Sequence, residues 1–529
     1  FSYEGLNSPD RLVRPMIRRD GQWTEVDWQT ALAFTVEGLK TILQKSGSDG
    51  LGLLASPHST VEELFLAGQL VRALGSDNVD FRLRQTDFSL EGARAGIPWL
   101  GTSVASLGDL RRVVVIGSNL RKDHPLIAAR LRVAARKGQK LGLVGAYFAD
   151  PLIPLTADVR VAPSALPQVL AEAVVGLASR KGVTPEADVA PLLNGVTATD
   201  RVAALVDLLA ADGDGGVFLG NEAQHHGAYA AVERLARALA SLSGGRFGFL
   251  GEAANSVGGY LAKALPQAHG RNAARLLSEP RHAYVLLGCE PELDTADGGA
   301  ALAALHAAEF VIALSPFQHR ATEYADVLLP IAPFTETAGT FVNTEGRVQS
   351  FKGVVAPLGE TRPAWKVLRV LGNLLGLDGF TYETAEEVLA AALPGGGEVA
   401  SRLDNALKPG LAAGNLPTPR SSLQRIGDVP IHWADPLVRR APALQKTHDA
   451  ESPQAWMNAA TLSQLGLQAG DQVRVSQAGQ SALLFAGLDP RTPDRAVRIS
   501  AGHPLTAGLG PLFGDIEVER VSTGARASA

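Results

Sequence analysis

The residues best suited to chemistry fall between Glu323 and Gln349. A short apolar run, Val327–Leu329, stops at Pro330 and gives way to a polar stretch carrying Thr335, Glu336, Thr337, Thr340, Asn343, Thr344, Glu345 and Arg347. Hydroxyls, amides and a Glu/Arg couple at the carboxyl end of a strand are how open α/β sheets build ligand sites. The same composition also suits a turn whose Thr and Asn side chains bond their own backbone. Glu336 and Glu345 could serve as acid and base, although a carboxylate held by Arg347 is the better account of Glu345.

Two further loops follow apolar strands. Gly117-Ser118-Asn119 and Gly220-Asn221-Glu222 could turn backbone amides toward an anion at the next helix. Lone strand-end glycines are common in parallel sheets, and the chain has neither a Gly-x-Gly-x-x-Gly at a strand end nor a Gly-Lys-Ser/Thr loop. His225 and His226 are adjacent, and neighbours on an extended segment point to opposite sides. They read better as hydrogen-bonding loop histidines than as ligands of one metal. Cys289 directly follows an apolar strand, where a small buried thiol is the simpler reading.

Composition narrows the classes. The chain has 529 residues, too many for a single core, and 46% hydrophobic with 19% charged residues describe an ordinary folded protein. A net charge of −5 with mixed signs argues against a nucleic-acid surface. A single cysteine excludes an internal disulfide and leaves a cysteine-ligated cluster without ligands here. No apolar run approaches the roughly 20 residues of a membrane helix, so direct membrane insertion is not expected. The first residues, Phe-Ser-Tyr-Glu-Gly-Leu-Asn, lack Met and the pattern of a signal peptide. The expectation is a fragment of a longer chain.

Strand, loop and helix alternate around these loops. Asp20-Gly21 marks a turn after a strand, Asp27 can cap a helix, and Leu51–Ala55 reads as a buried strand before a helix opening at Ser59-Thr60. Arg112–Ile116, a helix from Pro125 to Arg136, and Leu141–Gly145 make a βαβ unit with a parallel pair. The pattern recurs at Gly216–Leu219, Ala283–Leu287 and Phe310–Ser315, which predicts two parallel sheets. Residues 392–440 are rich in Gly and Pro and read as a connection. Beyond Ala441, short alternating strands predict a small all-β domain, a barrel.

In combination the loops carry a resemblance. Gly117-Ser-Asn-Leu-Arg-Lys-Asp-His-Pro resembles the Gly-Ser-Asn-Pro…His-Pro loop of the molybdopterin-dependent oxidoreductases, the dimethyl sulfoxide reductase and formate dehydrogenase superfamily. Gly220 to Gly227 is similar to its Gln-His loop, and Ala325 to Gln349 to its Ala-Asp-Val…Gly-Thr…Asn-x-Glu-x-Arg-x-Gln signature. Asn458 to Val475 resembles the start of its C-terminal barrel. The resemblance implies an α/β fold of two Rossmann-like parallel-sheet domains plus the barrel. Its parts would be an N-terminal segment 1–44, a discontinuous domain 45–105 and 305–391, an inserted domain 106–304, a connection 392–440 and the barrel 441–529.

Within that superfamily, residues 1–12 and 336–347 are closest in phrasing to the family of the large peripheral subunit of respiratory complex I, NADH-quinone oxidoreductase. That implies the C-terminal portion of a respiratory-chain electron-transport subunit, with iron–sulfur clusters upstream and no cofactor in this fragment. It also implies partners among the hydrophilic-arm subunits, a place on the cytoplasmic side of the bacterial inner membrane, and an NADH dehydrogenase activity that belongs to the complex. The aligned metal-ligand position holds Thr86, a poor substitute for a thiolate on a soft metal. Thr86, Ser118, Asn119, His124, Gln224, His225, Thr340, Asn343, Glu345 and Arg347 would then be vestigial pterin-pocket positions, with no catalytic residue and no metal. The reading is a structural, catalytically silent domain. An active molybdopterin-dependent oxidoreductase fragment is the alternative, and an unrelated α/β nucleotide-binding module a third.

Overall fold

The structure is a computed structural model that describes residues 3–395, 398–411 and 413–521. The expected N-terminal, connecting and C-terminal segments extend beyond it at residues 1–2, 396–397, 412 and 522–529.

The strands of the first two sheets are β1 (Met16–Arg19), β2 (Gln22–Glu25), β3 (Leu51–Ala55), β4 (Val79–Asp80), β5 (Arg112–Ile116), β6 (Lys140–Gly145), β7 (Leu155–Arg160), β8 (Gly215–Leu219), β9 (Arg246–Phe249), β10 (Ala283–Leu287), β11 (Phe310–Ser315) and β12 (Val327–Pro330). They form an outer sheet in the order β2-β1-β12-β11-β10-β3-β4 and an inserted sheet in the order β7-β6-β5-β8-β9. Every residue of β3, β5, β8 and β10 is buried, as expected of parallel strands covered on both faces. β5 and β6 pair in parallel across the helix Pro125–Ala135. Thr60 and Glu63 close a reciprocal capping box on the helix Val61–Ala73, which packs into the outer core.

Three expected boundaries move. β10 pairs in parallel with both β3 and β11, so it belongs to the outer sheet and not to an insertion running to 304. The inserted sheet ends at Phe249. A five-residue apolar strand carries the same signature in either sheet, so periodicity could not assign it. At the N-terminus, the β1–β2 hairpin joins the outer sheet through antiparallel β1–β12 pairing, making residues before 45 part of that domain. β13 (Gly339–Val342) and β14 (Val348–Phe351) form a separate antiparallel hairpin.

The third sheet contains β15 (Gln424–Ile426), β16 (Ala455–Met457), β17 (Gln472–Gln477), β18 (Gln480–Leu488), β19 (Ala496–Arg498), β20 (Phe513–Asp515) and β21 (Glu517–Arg520). Its order is β20-β15-β19-β16-β18-β17-β21. It begins inside the segment expected to be a connection, because β15 pairs with β19 and β20. Only Ile516 separates β20 from β21, which lie at opposite ends of the order, so the sheet curls. Among the described residues no pairing between these end strands closes it, and the expected barrel is here a curled sheet. No helix among those residues is long and apolar enough to cross a membrane.

Candidate functional site

From β5 the inserted sheet grows through β6 to β7, then returns to the other side of β5 for β8 and β9. The loops after β5 and β8 therefore leave in opposite directions. A doubly wound sheet opens a crevice at such a switch point, outside the carboxyl ends of its strands. Two glycines let these loops pack. Gly117 has φ 63°, and a Cβ there would stand 2.4 Å from the Ala223 nitrogen; one on Gly220 would stand 2.3 Å from Ser118 Cβ.

A cleft of about 840 Å3 lies at this point. The loop after β5 contributes Asn119, Lys122 and Asp123, and the loop after β8 contributes Asn221, Glu222 and His225. Glu252 follows β9, while His58 and Arg84 follow the outer strands β3 and β4. Ile426 to Ala434 and Phe513 bring the third sheet and its flanking segment over the top. An adjoining space of about 970 Å3 shares Asn119, Lys122, Asp123, Tyr147 and Asp428 and adds Arg121, Arg491 and Arg498. The outer sheet has its own switch point between β3 and β10. The cavity there, about 1120 Å3, is more apolar and is faced by Phe317, Phe334 and Phe341 beside Ser56, Ser59 and Gly288.

The polar cleft is acidic on its inserted-domain side. Burial pushes the Asp123 carboxyl up to about 7; the Asn119 N–H, donating at 2.8 Å, opposes this, and Asp428 and Glu222 add to it. Burial likewise lifts Glu222 to about 7 against the N–H donors of Ala146 (2.6 Å) and Tyr147 (3.3 Å), with Asp428 adding to the rise. Glu252 goes the other way. Burial would raise it, but His225 (Nε2–Oε2 3.1 Å) and Arg84 (2.9 Å) outweigh that and hold it well below the carboxylate range. Burial pushes His124 down to about 4, and its Nε2 has no protein partner. Cations mark the adjoining space: Lys122 pairs with Asp449 at 2.6 Å and Arg498 with Asp428 at 3.2 Å.

Of the ten positions the resemblance marked as a vestigial pterin pocket, only Asn119 and His225 line the cleft; Asn221 and Glu222, from the second glycine-led loop, line it too. Asn119 Oδ1 accepts from the Ala149 N–H at 3.1 Å. Ser118 donates to Asp123, and His124 stands at the start of the next helix without a side-chain capping bond. Gln224 donates to the carbonyls of Leu219, Gly220 and Leu250. Thr86 donates to the His225 carbonyl at 2.8 Å. The β13–β14 hairpin lies elsewhere. Thr340 bonds Glu62 through both its N–H and its hydroxyl, and Asn343 accepts the N–H groups of Glu345 and Arg347. Glu345 accepts the Val104 N–H at 2.6 Å and sits 3.4 Å from Arg347. Glu336 is held by Arg11 through two bonds of 2.8 and 2.9 Å.

Sequence reasoning missed Arg84, Glu252 and Asp428. Each follows a strand within a few residues, which is the one signal that could have drawn attention to them.

A polar crevice at the switch point of a doubly wound sheet defines the class of α/β proteins that hold nucleotide-like cofactors. The chain belongs to the molybdopterin oxidoreductase family, which matches residues 11–374. It is 29% identical over 431 residues to the NADPH-Fe(3+) oxidoreductase subunit alpha of Geobacter sulfurreducens, covering 71% of this chain and 50% of that one. It is 24% identical over 456 residues to a putative formate dehydrogenase of Staphylococcus aureus, covering 74% and 46%. The chain thus spans about half the length of the curated relatives it matches. Acetylene hydratase from Pelobacter acetylenicus shares the fold, with a TM-score of 0.67 at 16% identity over 98% of this chain and 93% of that one.

The family implies a metal-bearing pterin, and the residues present answer its two parts differently. The organic part fits. Asn221 Oδ1 and Asp428 Oδ1 are buried acceptors without a protein partner, and Arg121 Nε and Arg498 Nε are buried donors without one. The position aligned with the family's metal ligand offers the metal part nothing. Thr86 is committed to a carbonyl, and burial raises the Cys289 thiol well above its usual range away from the cleft. Among the described residues no three His, Cys, Asp or Glu side chains are grouped to hold an ion.

Proposed function

We propose that this chain is the pterin-cofactor domain of an oxidoreductase whose electrons come from a reduced nicotinamide nucleotide oxidised elsewhere in the same assembly. The observation that carries the cofactor half is the set of unpartnered buried polar atoms in the polar cleft and its adjoining space. Asn221, Asp123, Glu222 and Asp428 would receive the N–H edge of a pterin or purine. Arg121, Lys122 and Arg498 would meet phosphate oxygens, as guanidinium and ammonium groups do. The bound group would supply metal-centred electron transfer; the chain's own residues hold it, orient it and keep water out. The nicotinamide half rests on the name of the Geobacter relative and on the resemblance to the large peripheral subunit of complex I.

The test is to express the chain in a host that makes molybdopterin, then measure oxidised-pterin fluorescence after acid release and metal by mass spectrometry. About one equivalent of pterin is expected, falling in Arg121→Ala and Arg498→Ala. Folded protein free of both pterin and metal overturns the reading.

One observation favours a second reading. The Thr86 hydroxyl is spent on His225, and Lys122 and Arg84 already have carboxylate partners. This supports a catalytically silent scaffold like the large peripheral subunit of complex I, docked among hydrophilic-arm subunits on the cytoplasmic side of the membrane with iron–sulfur clusters upstream. It predicts neither pterin nor metal, and co-purification with those subunits from cells expressing the full-length protein.

A further inference from the structure

The segment Gly427–Arg440 crosses the mouth of both cavities. Residues 427–434 wall the polar cleft, and Asp435, Pro436 and Leu437 wall the apolar one. Across 428–440 only Arg439 is buried, so apolar packing does not hold the segment down. Charge does. Arg439 donates to Asp294 at 2.6 Å and Glu290 at 3.2 Å, in the short helix and the turn that follow β10, and its Nε donates to the Trp433 carbonyl. Arg440 pairs with Glu290 at 2.6 Å.

This cluster reaches the cleft through one side chain. Arg84 places Nη2 3.4 Å from Asp294 and 3.2 Å from the Ala434 carbonyl, while its Nη1 donates to Glu252 at 2.9 Å. Glu252 in turn meets His225. A continuous run of ion pairs therefore joins the loops after β8, β9, β4 and β10 to the crossing segment. Buried charges keep such chains intact, because a member left without its partner is costly and pulls the others toward new arrangements.

We infer that Gly427–Arg440 is a strap whose docking is coupled, through Arg84, Asp294 and Arg439, to the state of Glu252 in the polar cleft. Glu252 makes no hydrogen bond to the strap among those of the described residues, so any effect on it must pass through Arg84. Arg84 and Arg439 act as positioning residues. A ligand that draws Glu252 away from Arg84 loosens the strap and thereby opens the apolar cavity as well. The inference does not depend on which cofactor, if any, the cleft holds.

Hydrogen exchange of the whole chain tests it. Glu252→Gln keeps size and one acceptor oxygen while removing the charge, and it is expected to raise exchange at the amides of Leu437 to Ala441 about tenfold. Arg84→Met is expected to do the same, and the double variant no more than either single one. Glu222→Gln, in the same cleft but outside the chain of pairs, should leave these amides at the wild-type rate. Amides of β5 and β8 report whether each variant is folded; if Arg84→Met is not, Glu252→Gln against Glu222→Gln decides. The coupling is overturned if Glu252→Gln leaves the strap unchanged, if Glu222→Gln loosens it equally, or if the two single effects add.

Discussion

Asp123 and Glu222 keep their protons to about pH 7 because burial disfavours their charged forms and Asp428 stands near both. In the unfolded chain they ionise near 4. The folded state thus binds more protons between about pH 4 and 7, and ∂ΔG/∂pH is negative there. The stability these groups contribute is complete below pH 4 and lost as pH rises through 7. Thermal unfolding should therefore fall in midpoint from pH 5 to 8, and Asp123→Asn with Glu222→Gln should flatten that slope. A tenfold change in proton affinity is about 1.4 kcal/mol, so the pair together can move stability by a few kcal/mol. An unaltered pH profile in the double variant would refute the assignment. Thr86 is a smaller case. Its hydroxyl makes a single bond, to the His225 carbonyl, so Thr86→Val should cost about 1 kcal/mol in denaturant titration. At this scale the sequence exposed Asn119 and His225, because each stands in a glycine-led loop. It concealed Arg84, Glu252 and Asp428, since charged loop residues have no periodicity and their partners are distant in the chain.

The element the sequence marked most strongly, the β13–β14 hairpin, bonds to both domains, its turn residue Thr344 donating to the Phe249 carbonyl at the end of β9. Asn255 follows β9 by six residues and is fully buried. Its Oδ1 accepts the Val342 N–H and its Nδ2 donates to the Ser59 carbonyl, both at 2.8 Å. One amide thereby fixes the hairpin to the helix start after β3. Asn255→Ala leaves a buried donor and a buried acceptor unmet, which should cost about 2–3 kcal/mol. Because Asn255 also sits 1.8 Å from where a Gly258 Cβ would fall, no larger side chain is expected to restore the loss. Equilibrium unfolding of the Ala, Asp and Gln variants, with all three below wild type, checks both statements. Strands and helix starts were legible because apolar runs and capping residues are local signals. The sheet to which β10 belongs was not, since that depends on which neighbours meet its two edges. The curl of the third sheet was hidden for the same reason.

At the scale of the molecule, three sheets meet around one polar cleft, joined by a small apolar cluster, by amide hydrogen bonds and by buried ion pairs. The two α/β sheets have large cores of their own, and the curled sheet has a smaller one. The strap between them has almost no apolar anchor. Its attachments differ in kind. The Arg440–Asp10 pair is partly exposed and contributes little, the more so in salt. The Arg439 pairs are almost wholly buried, and removing one partner of a buried pair typically costs about 3–5 kcal/mol. Arg439→Met should therefore undock the strap while leaving the sheets folded, since the lost energy is local and each sheet keeps its core. Limited proteolysis should then cut first between residues 428 and 441, at a rate set by the population of the undocked form. Raising salt to 1 M should reproduce little of this in the wild-type chain, because buried pairs are poorly screened. Cleavage of Arg439→Met scattered through the α/β sheets, with the strap no more sensitive than the rest, would mean that the segment is part of their cores and not a strap upon them.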